Sequence, residues 1–324
     1  MMQTEIGTDV KKAKKILDRS EILAIPTETV YGLAGNGFDT EAIAKIYKAK
    51  QRPLSNPLIL HYKNTDSAFQ DTQEVTKEAK VLAERFWPGP LTMLLPKKDH
   101  IPNAVTAGKK NVAVRVPNEP LCQSLLHLLN YPIAAPSANL YGRISPTSSA
   151  HVVEQLNNRI PYVLDGGRCK KGIESTIVGF EKGNVIIYRL GAIDIESIED
   201  CIGKKAFLFQ GMHSKNEPIT SGMVKHHYAP NTPMYALEAK NQFKNILNSG
   251  YIGFDTLDPS FPNESQFLLS IEGNMEEAAQ NLYQAFHIMD EKKFNALFIS
   301  LLPEKRIGRS INDRIIRAIR KNTP

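Results

Sequence analysis

Ile22-Leu23-Ala24-Ile25-Pro26-Thr27-Glu28-Thr29-Val30-Tyr31-Gly32-Leu33 is the stretch on which the fold turns. The apolar run Ile22–Pro26 reads as a short buried strand, and the hydroxyl-rich segment after it reads as a loop. The end of a strand is where α/β folds gather ligand contacts. Outward from it, short β-branched runs alternate with longer helical patterns, which argues for an α/β architecture. Further strands are predicted at Leu58–His61, Leu91–Leu95, Val112–Val116, Ile133–Ala135, Tyr162–Leu164, Ser175–Val178 and Val185–Arg189. Asp39 or Thr40 caps a helix through Lys50, with Ile43, Ile46 and Tyr47 on its apolar stripe. A second helix is expected over Thr72–Phe86, ended by Trp87-Pro88-Gly89-Pro90, and two more over Glu119–Leu129 and Thr147–Asn157.

From Gly203 to Pro233 the pattern weakens into a long polar connection. A second α/β pattern follows: strands at Tyr251–Asp255 and Ala296–Leu302, helices at Met275–Lys292 and Ser310–Lys321. The expected division is a first domain over residues 1–203, a linker over 204–233 and a smaller domain over 234–324.

The 324 residues are 42% hydrophobic and 23% charged, a composition that supports an ordinary globular core. Cys122, Cys169 and Cys201 are too few and too scattered for a disulfide framework, and they lack the paired spacing of a zinc site. The polar start MMQTEIGTDVKKAKKIL is unlike a signal peptide, and no run is apolar enough to span a membrane, so a cytoplasmic location is expected. A net charge of +6 points mildly toward anionic partners.

The common nucleotide signatures are missing. There is no G-x-x-x-x-G-K-[ST] loop, Gly32-Leu33-Ala34-Gly35-Asn36-Gly37 does not fit the dinucleotide spacing, and no H-E-x-x-H occurs. Phosphates, if bound, must be held by cations and hydroxyls. Lys48-Ala49-Lys50-Gln51-Arg52-Pro53 closes the first helix; pairing with the helix dipole explains Lys48 better than Lys50 or Arg52, which flank a turn before Ser55-Asn56-Pro57. Ala135-Pro136-Ser137-Ala138-Asn139 and Ser145-Pro146-Thr147 offer hydroxyls, an amide and a helix N-terminus, where phosphate binds readily. Ser145 or Thr147 acting only as a helix cap is the simpler alternative. Gly166-Gly167 allows close approach of a ligand or simply makes a tight turn.

No one of these segments is specific, but their order is. PTETVYGL, KAKxRPxxNPL, WPGPLT, VAVRVP, APSAN, SPT, GGxCxxGxESTIV and YRLG occur in that sequence over residues 10–230. The series resembles the YrdC-like domain, and S-G-M-V-K-H-H-Y-A-P resembles the linker motif of the two-domain threonylcarbamoyl-AMP synthases. The resemblance implies a twisted mixed sheet around a large basic cavity, followed by a small Rossmann-like α/β domain. It implies synthesis of threonylcarbamoyl-AMP and pyrophosphate from L-threonine, bicarbonate and ATP, with Mg2+ accompanying ATP and no protein metal site. The product would pass to a tRNA threonylcarbamoyl-transfer complex.

Carried over position by position, Thr29, His61, Arg115, Ala135, Ser137 and Ser175 enclose threonine. Lys50, Arg52, Asn56, Asn139, Ser145, Arg189 and Tyr228 contact ATP, with Lys50 and Arg52 on the phosphates as the catalytic pair. His227-Tyr228-Ala229-Pro230 is implied to fold toward the cavity. Departures are Tyr141 in place of a small residue, Ser221-Gly222-Met223 in place of Pro-Gly-Met, and His226. A competing expectation is a non-catalytic RNA-binding module, for which the basic face of the last helix (Arg309, Arg314, Arg317, Arg320, Lys321) is the candidate surface. A charged face opposite an apolar stripe is usually just a solvated amphipathic helix.

Overall fold

The computed structural model describes residues 3–210, 220, 228–243 and 247–319. Ser221, Gly222, Met223, His226 and His227 of the linker motif, and Arg320 and Lys321 of the last helix, lie outside them.

Among the described residues the first part of the chain builds an 11-stranded mixed sheet. Its strands are β1 (Glu5–Gly7), β2 (Leu23–Ile25), β3 (Gly32–Asn36), β4 (Ile59–His61), β5 (Leu91–Pro96) and β6 (Asn111–Arg115). They are joined by β7 (Ile133–Ala134), β8 (Tyr162–Leu164), β9 (Thr176–Glu181), β10 (Asn184–Arg189) and β11 (Ala206–Leu208), in the order β1-β8-β2-β3-β7-β4-β6-β5-β9-β10-β11. Helices α1 (Val10–Leu17), α2 (Thr40–Lys50), α3 (Thr65–Gln70), α4 (Lys77–Phe86), α5 (Asn103–Thr106), α6 (Pro120–Leu128), α7 (Ser149–Leu156) and α8 (Ile195–Ile202) connect them. Strand alternation divides the apolar side chains between two faces. Leu23 and Ile25 pack with Leu17 of α1 and Leu126 of α6, whereas Ala24 belongs to the cluster of Ile43, Ile46 and Leu82.

The second part forms a parallel four-stranded sheet of β12 (Met234–Ala236), β13 (Ser249–Gly253), β14 (Gln266–Leu268) and β15 (Ala296–Ile299), ordered β12-β15-β13-β14. Helices α9 (Met275–Glu291) and α10 (Ile307–Ile319) accompany it. Its core is continuous with the first part: Val30, Ile144 and Ile173 cluster with Tyr228, Tyr283 and Ile315. At Gly172, φ is +71° and an added Cβ would fall 2.4 Å from the Gln280 Cα, so the β8–β9 loop lies directly on the α9 backbone.

Several sequence expectations need correction. The helix expected from Thr72 starts at Lys77, because Glu74 takes a left-handed φ of +51° and Thr76 accepts the Ala79 N–H as the cap. Neither Ser145 nor Thr147 caps α7; Ser148 does, accepting from His151 N. After a short loop the chain returns as β3, antiparallel to β2. The long connection contains β11, and the last helix begins at Ile307 rather than Ser310.

Candidate active site

Five neighbouring strands set the working side chains in one row. His61 lies opposite Arg115 across β4–β6, Thr92 opposite Arg115 across β5–β6 and opposite Ile177 across β5–β9, and Ile177 opposite Arg189 across β9–β10. Residues paired across strands share a face. His61, Arg115, Thr92 and Arg189 therefore stand on the same side of the sheet. A half-open cavity lies beside them, with about 510 Å³ of space when the solvent at its mouth is included. Thr29, His61, Arg115, Ala135, Ser137 and Ser175 all line it, as do Arg52, Arg189 and Tyr228.

At one end Arg115 is buried and held on three sides. Its Nε donates to the Gly89 carbonyl (3.2 Å), its Nη1 to Thr29 Oγ1 (3.0 Å), and its Nη2 sits 2.7 Å from Glu28 Oε1, close but off the hydrogen-bond axis. Glu28 in turn accepts from Asn118 N (3.0 Å). Thr27 and Thr29 share a hydrogen bond between hydroxyls (2.8 Å), and Thr92 and Ser175 share another (2.7 Å). Burial, together with the Arg115 guanidinium, lowers the His61 pKa from its ordinary 6.5 to about 3, so the ring is neutral. Its Nδ1 is buried without a hydrogen-bond partner, an atom that a ligand could satisfy.

The other end is cationic. Arg52 donates from Nε to the Asn56 carbonyl (3.1 Å) and from Nη2 to Asn56 Oδ1 (2.6 Å) and the Pro57 carbonyl (2.9 Å). Arg189 grips Ser175 through the carbonyl (2.8 Å and 3.0 Å) and the hydroxyl (2.9 Å). Burial lowers the pKa of both arginines, that of Arg52 to about 10, and Arg189 adds its repulsion to Arg52. Both guanidiniums line the same cavity, which suits an anionic ligand.

Four residues of the expected nucleotide set stand behind the wall. Lys50 is buried with its Nζ donating to the carbonyls of Ser137 (2.5 Å) and Asn139 (2.6 Å), and burial, then Arg52, holds its ammonium well below the ordinary lysine range. It staples the APSAN segment in place. Asn56 braces Arg52. Asn139 donates to the carbonyls of Leu140 (2.7 Å) and Arg143 (3.0 Å). Ser145 is fully buried and donates to Glu174 Oε1 (2.8 Å); it is Glu174 that reaches the cavity. Gly166-Gly167 proves to be a turn: Gly167 has φ +76°, and Tyr31 and Asp165 pin it.

Sequence reasoning singled out neither Glu28, Thr92 nor Glu174, although all three sit inside the quoted motifs. The usable signal for the two glutamates was electrostatic: a buried cation set needs counter-charges, and Glu28 and Glu174 are acids within those strings. The basic face of α10 is mostly engaged internally. Arg309 pairs with Glu196, Arg317 with Asp313 and Arg314 with Glu174.

Residues 15–191 match the family model described as "Telomere recombination" (Sua5/YciO/YrdC), and residues 193–319 match "Threonylcarbamoyl-AMP synthase, C-terminal domain". The chain belongs to the threonylcarbamoyl-AMP synthase family. It is 36% identical to the threonylcarbamoyl-AMP synthase of Bacillus subtilis, over 95% of this chain and 92% of that protein. Against the Pyrococcus abyssi synthase the identity is 33%, over 95% and 93%. The crystal structure of P. abyssi Sua5 complexed with L-threonine superposes with a TM-score of 0.88 at 32% identity, covering 99% of this chain and 98% of that one. The resemblance drawn from the motif series, and the two-part α/β fold it implied, are both borne out. Among the described residues no helix is long and apolar enough to cross a membrane.

Proposed function

We propose that this cavity condenses L-threonine, bicarbonate and ATP into threonylcarbamoyl-AMP with release of pyrophosphate, a nucleotidyl transfer serving threonylcarbamoyladenosine modification of tRNA. The observation that carries the reading is one cavity with two chemically different ends. One has hydroxyls, a neutral imidazole and a single arginine matched by Glu28; the other has two converging arginines. A zwitterionic hydroxy-amino acid suits the first and a polyphosphate the second.

Arg115 would hold the threonine carboxylate through paired hydrogen bonds. Thr29 and Ser175 would read the substrate hydroxyl, and His61 Nδ1 and the Ala135 and Ser137 backbone would complete the enclosure. A site built around a hydroxyl partner rejects analogues that lack one. The threonine amine attacks CO2 derived from bicarbonate and loses a proton, giving a carbamate. A carbamate oxygen then attacks the α-phosphorus of ATP; that P–O bond forms as the bond to the β-phosphate oxygen breaks, and pyrophosphate leaves. Such chemistry asks the protein for alignment and charge neutralisation. Arg52 and Arg189 supply the charge. Lys50, Asn56, Asn139 and Ser145 fix the walls, and Tyr228 closes one side.

Glu28 and Glu174 are engaged with Arg115 and Arg314, and the described residues hold no cluster of three metal-binding side chains. Mg2+ would therefore arrive with ATP, held by phosphate oxygens and water. In this reading residues 1–203 carry the chemistry, 204–233 link and 234–324 support, in a cytoplasmic enzyme whose product passes to a tRNA-modifying complex. The test is pyrophosphate release from ATP that requires both threonine and bicarbonate. Salt-sensitive RNA affinity without any turnover would instead favour the RNA-binding module.

A further inference from the structure

One buried acid on the cavity wall is matched entirely by neighbours, and most of them come from the second sheet's helices. Glu174 Oε1 accepts from Ser145 Oγ (2.8 Å) and the Tyr283 hydroxyl (3.1 Å); Oε2 accepts from Tyr283 (2.9 Å) and Arg314 Nε (3.2 Å). Tyr283 belongs to α9 and Arg314 to α10, and both are fully buried. Burial alone would raise the carboxyl pKa, but Arg314, Arg189 and the Ser145 hydroxyl outweigh it and hold the group below the usual carboxylate range. Glu174 therefore stays ionised inside the protein.

Helix α10 grips this segment twice from one face. Ser310 Oγ donates to the Gly191 carbonyl (2.8 Å), and one turn later Arg314 reaches Glu174. Gly191 itself lies against the same segment, where an added Cβ would fall 2.3 Å from Thr176 N and 2.6 Å from the Glu174 carbonyl oxygen. The guanidinium carbon of Arg314 is also 5.7 Å from the centre of the Tyr228 ring. Fixing Glu174 has two consequences for the cavity. Ser145 has a single proton and donates it to the carboxylate, which ties the buried Ser145 segment behind the wall to the acid that reaches the cavity. Arg189, which feels the Glu174 charge, grips Ser175 and faces the cavity rather than collapsing onto a loose acid.

We infer that Glu174 is a positioning residue for the nucleotide end of the cavity, and that Tyr283 and Arg314 of the second unit set it, making α9 and α10 part of the nucleotide site. This rests on the assignment of Arg189 to the nucleotide. The full chain is assayed for KM toward ATP and, by calorimetry with threonine alone, for threonine affinity. Tyr283→Phe and Glu174→Gln are expected to raise KM for ATP roughly tenfold, the cost of a lost hydrogen bond to a charged group, and to leave threonine affinity unchanged. Because Arg314→Met strands a buried carboxylate and could fail to fold, the pair Glu174→Gln with Arg314→Met removes both charges together; it is expected to fold and keep the ATP defect. Arg189→Ala is the reference. If Arg189→Ala weakens ATP while Tyr283→Phe and Glu174→Gln do not, the positioning role fails alone. If Arg189→Ala also leaves ATP untouched, the nucleotide assignment fails and the role with it. Equal loss of ATP and threonine affinity with a lowered Tm would reduce the network to plain structural support and overturn the proposal.

Discussion

The two ends of the cavity are built on different plans. At the hydroxyl-lined end every expected residue, from Thr29 to Ser175, reaches the cavity itself. At the cationic end only Arg52, Arg189 and Tyr228 do, while Lys50, Asn56, Asn139 and Ser145 form a buried frame behind them. Their charge differs as well: Arg115 is answered by Glu28 and His61 is neutral, whereas Arg52 and Arg189 bring two cations to a wall whose acid, Glu174, is already shared with Arg314. A small neutral zwitterion needs shape and a few aimed groups. A polyanion needs excess cation, and cations packed together in low dielectric must be braced by carbonyls and side-chain amides. The frame is the physical cost of the charge.

The largest effect should come from removing one of the two cavity-lining cations at the cationic end. Arg52→Ala is expected to cut pyrophosphate release by on the order of 10²–10³-fold, the usual loss for one charge-stabilising donor. Circular dichroism and threonine affinity should stay unchanged, because Arg52 braces the turn at Asn56 and Pro57 and stands at the nucleotide end of the cavity. Near-normal turnover would break the division into two ends.

The next effect belongs to the neutral end and is read in stability. The His61 pKa is about 3 in the folded chain and 6.5 unfolded. Between those values the unfolded chain binds a proton that the folded one refuses, so stability is full above 6.5 and falls as pH drops through that window. By about pH 4.5 the loss is about 3 kcal/mol. His151, also depressed to about 3 by burial, with His287 beside it, contributes in the same sense. The decisive comparison is therefore His61→Gln against the parent, with Tm followed down the pH range. The variant should lose less; identical profiles would mean that His61 is not buried neutral.

What the sequence made legible follows the same division. Residues that touch the cavity directly sit in short strings beside a strand end, so their order along the chain already groups them. The frame was harder to read. Lys50 looks like a phosphate ligand from its place at a helix end, and only the fold shows its Nζ engaged with the Ser137 and Asn139 carbonyls. Glu174 finds Arg314 across 140 positions, a separation no local pattern encodes. The missed strands have equally plain causes. β3 reads Gly-Leu-Ala-Gly-Asn and lacks the β-branched residues that mark a strand, its glycines being needed where Ala42 and Ile46 press close to Gly35. β11 has only three residues, half-exposed at the sheet edge, too few to show a period.

Ser175 is where the two ends meet, and the smallest expected effect tests the joint. Its hydroxyl holds Thr92 Oγ1 at 2.7 Å on the threonine side and takes Arg189 Nη2 at 2.9 Å on the nucleotide side. Thr92 is fully buried, so Thr92→Val keeps shape and removes one hydrogen bond, a loss of about 1 kcal/mol. Arg189 still fixes the serine, but the hydroxyl is no longer turned by Thr92. KM for threonine should rise about fivefold, and discrimination against serine should weaken, with KM for ATP unmoved. Steady-state kinetics with each substrate varied in turn decides it. A parallel rise in KM for ATP would place Ser175 on the nucleotide side and move the boundary between the ends by one strand, from β9 to β5.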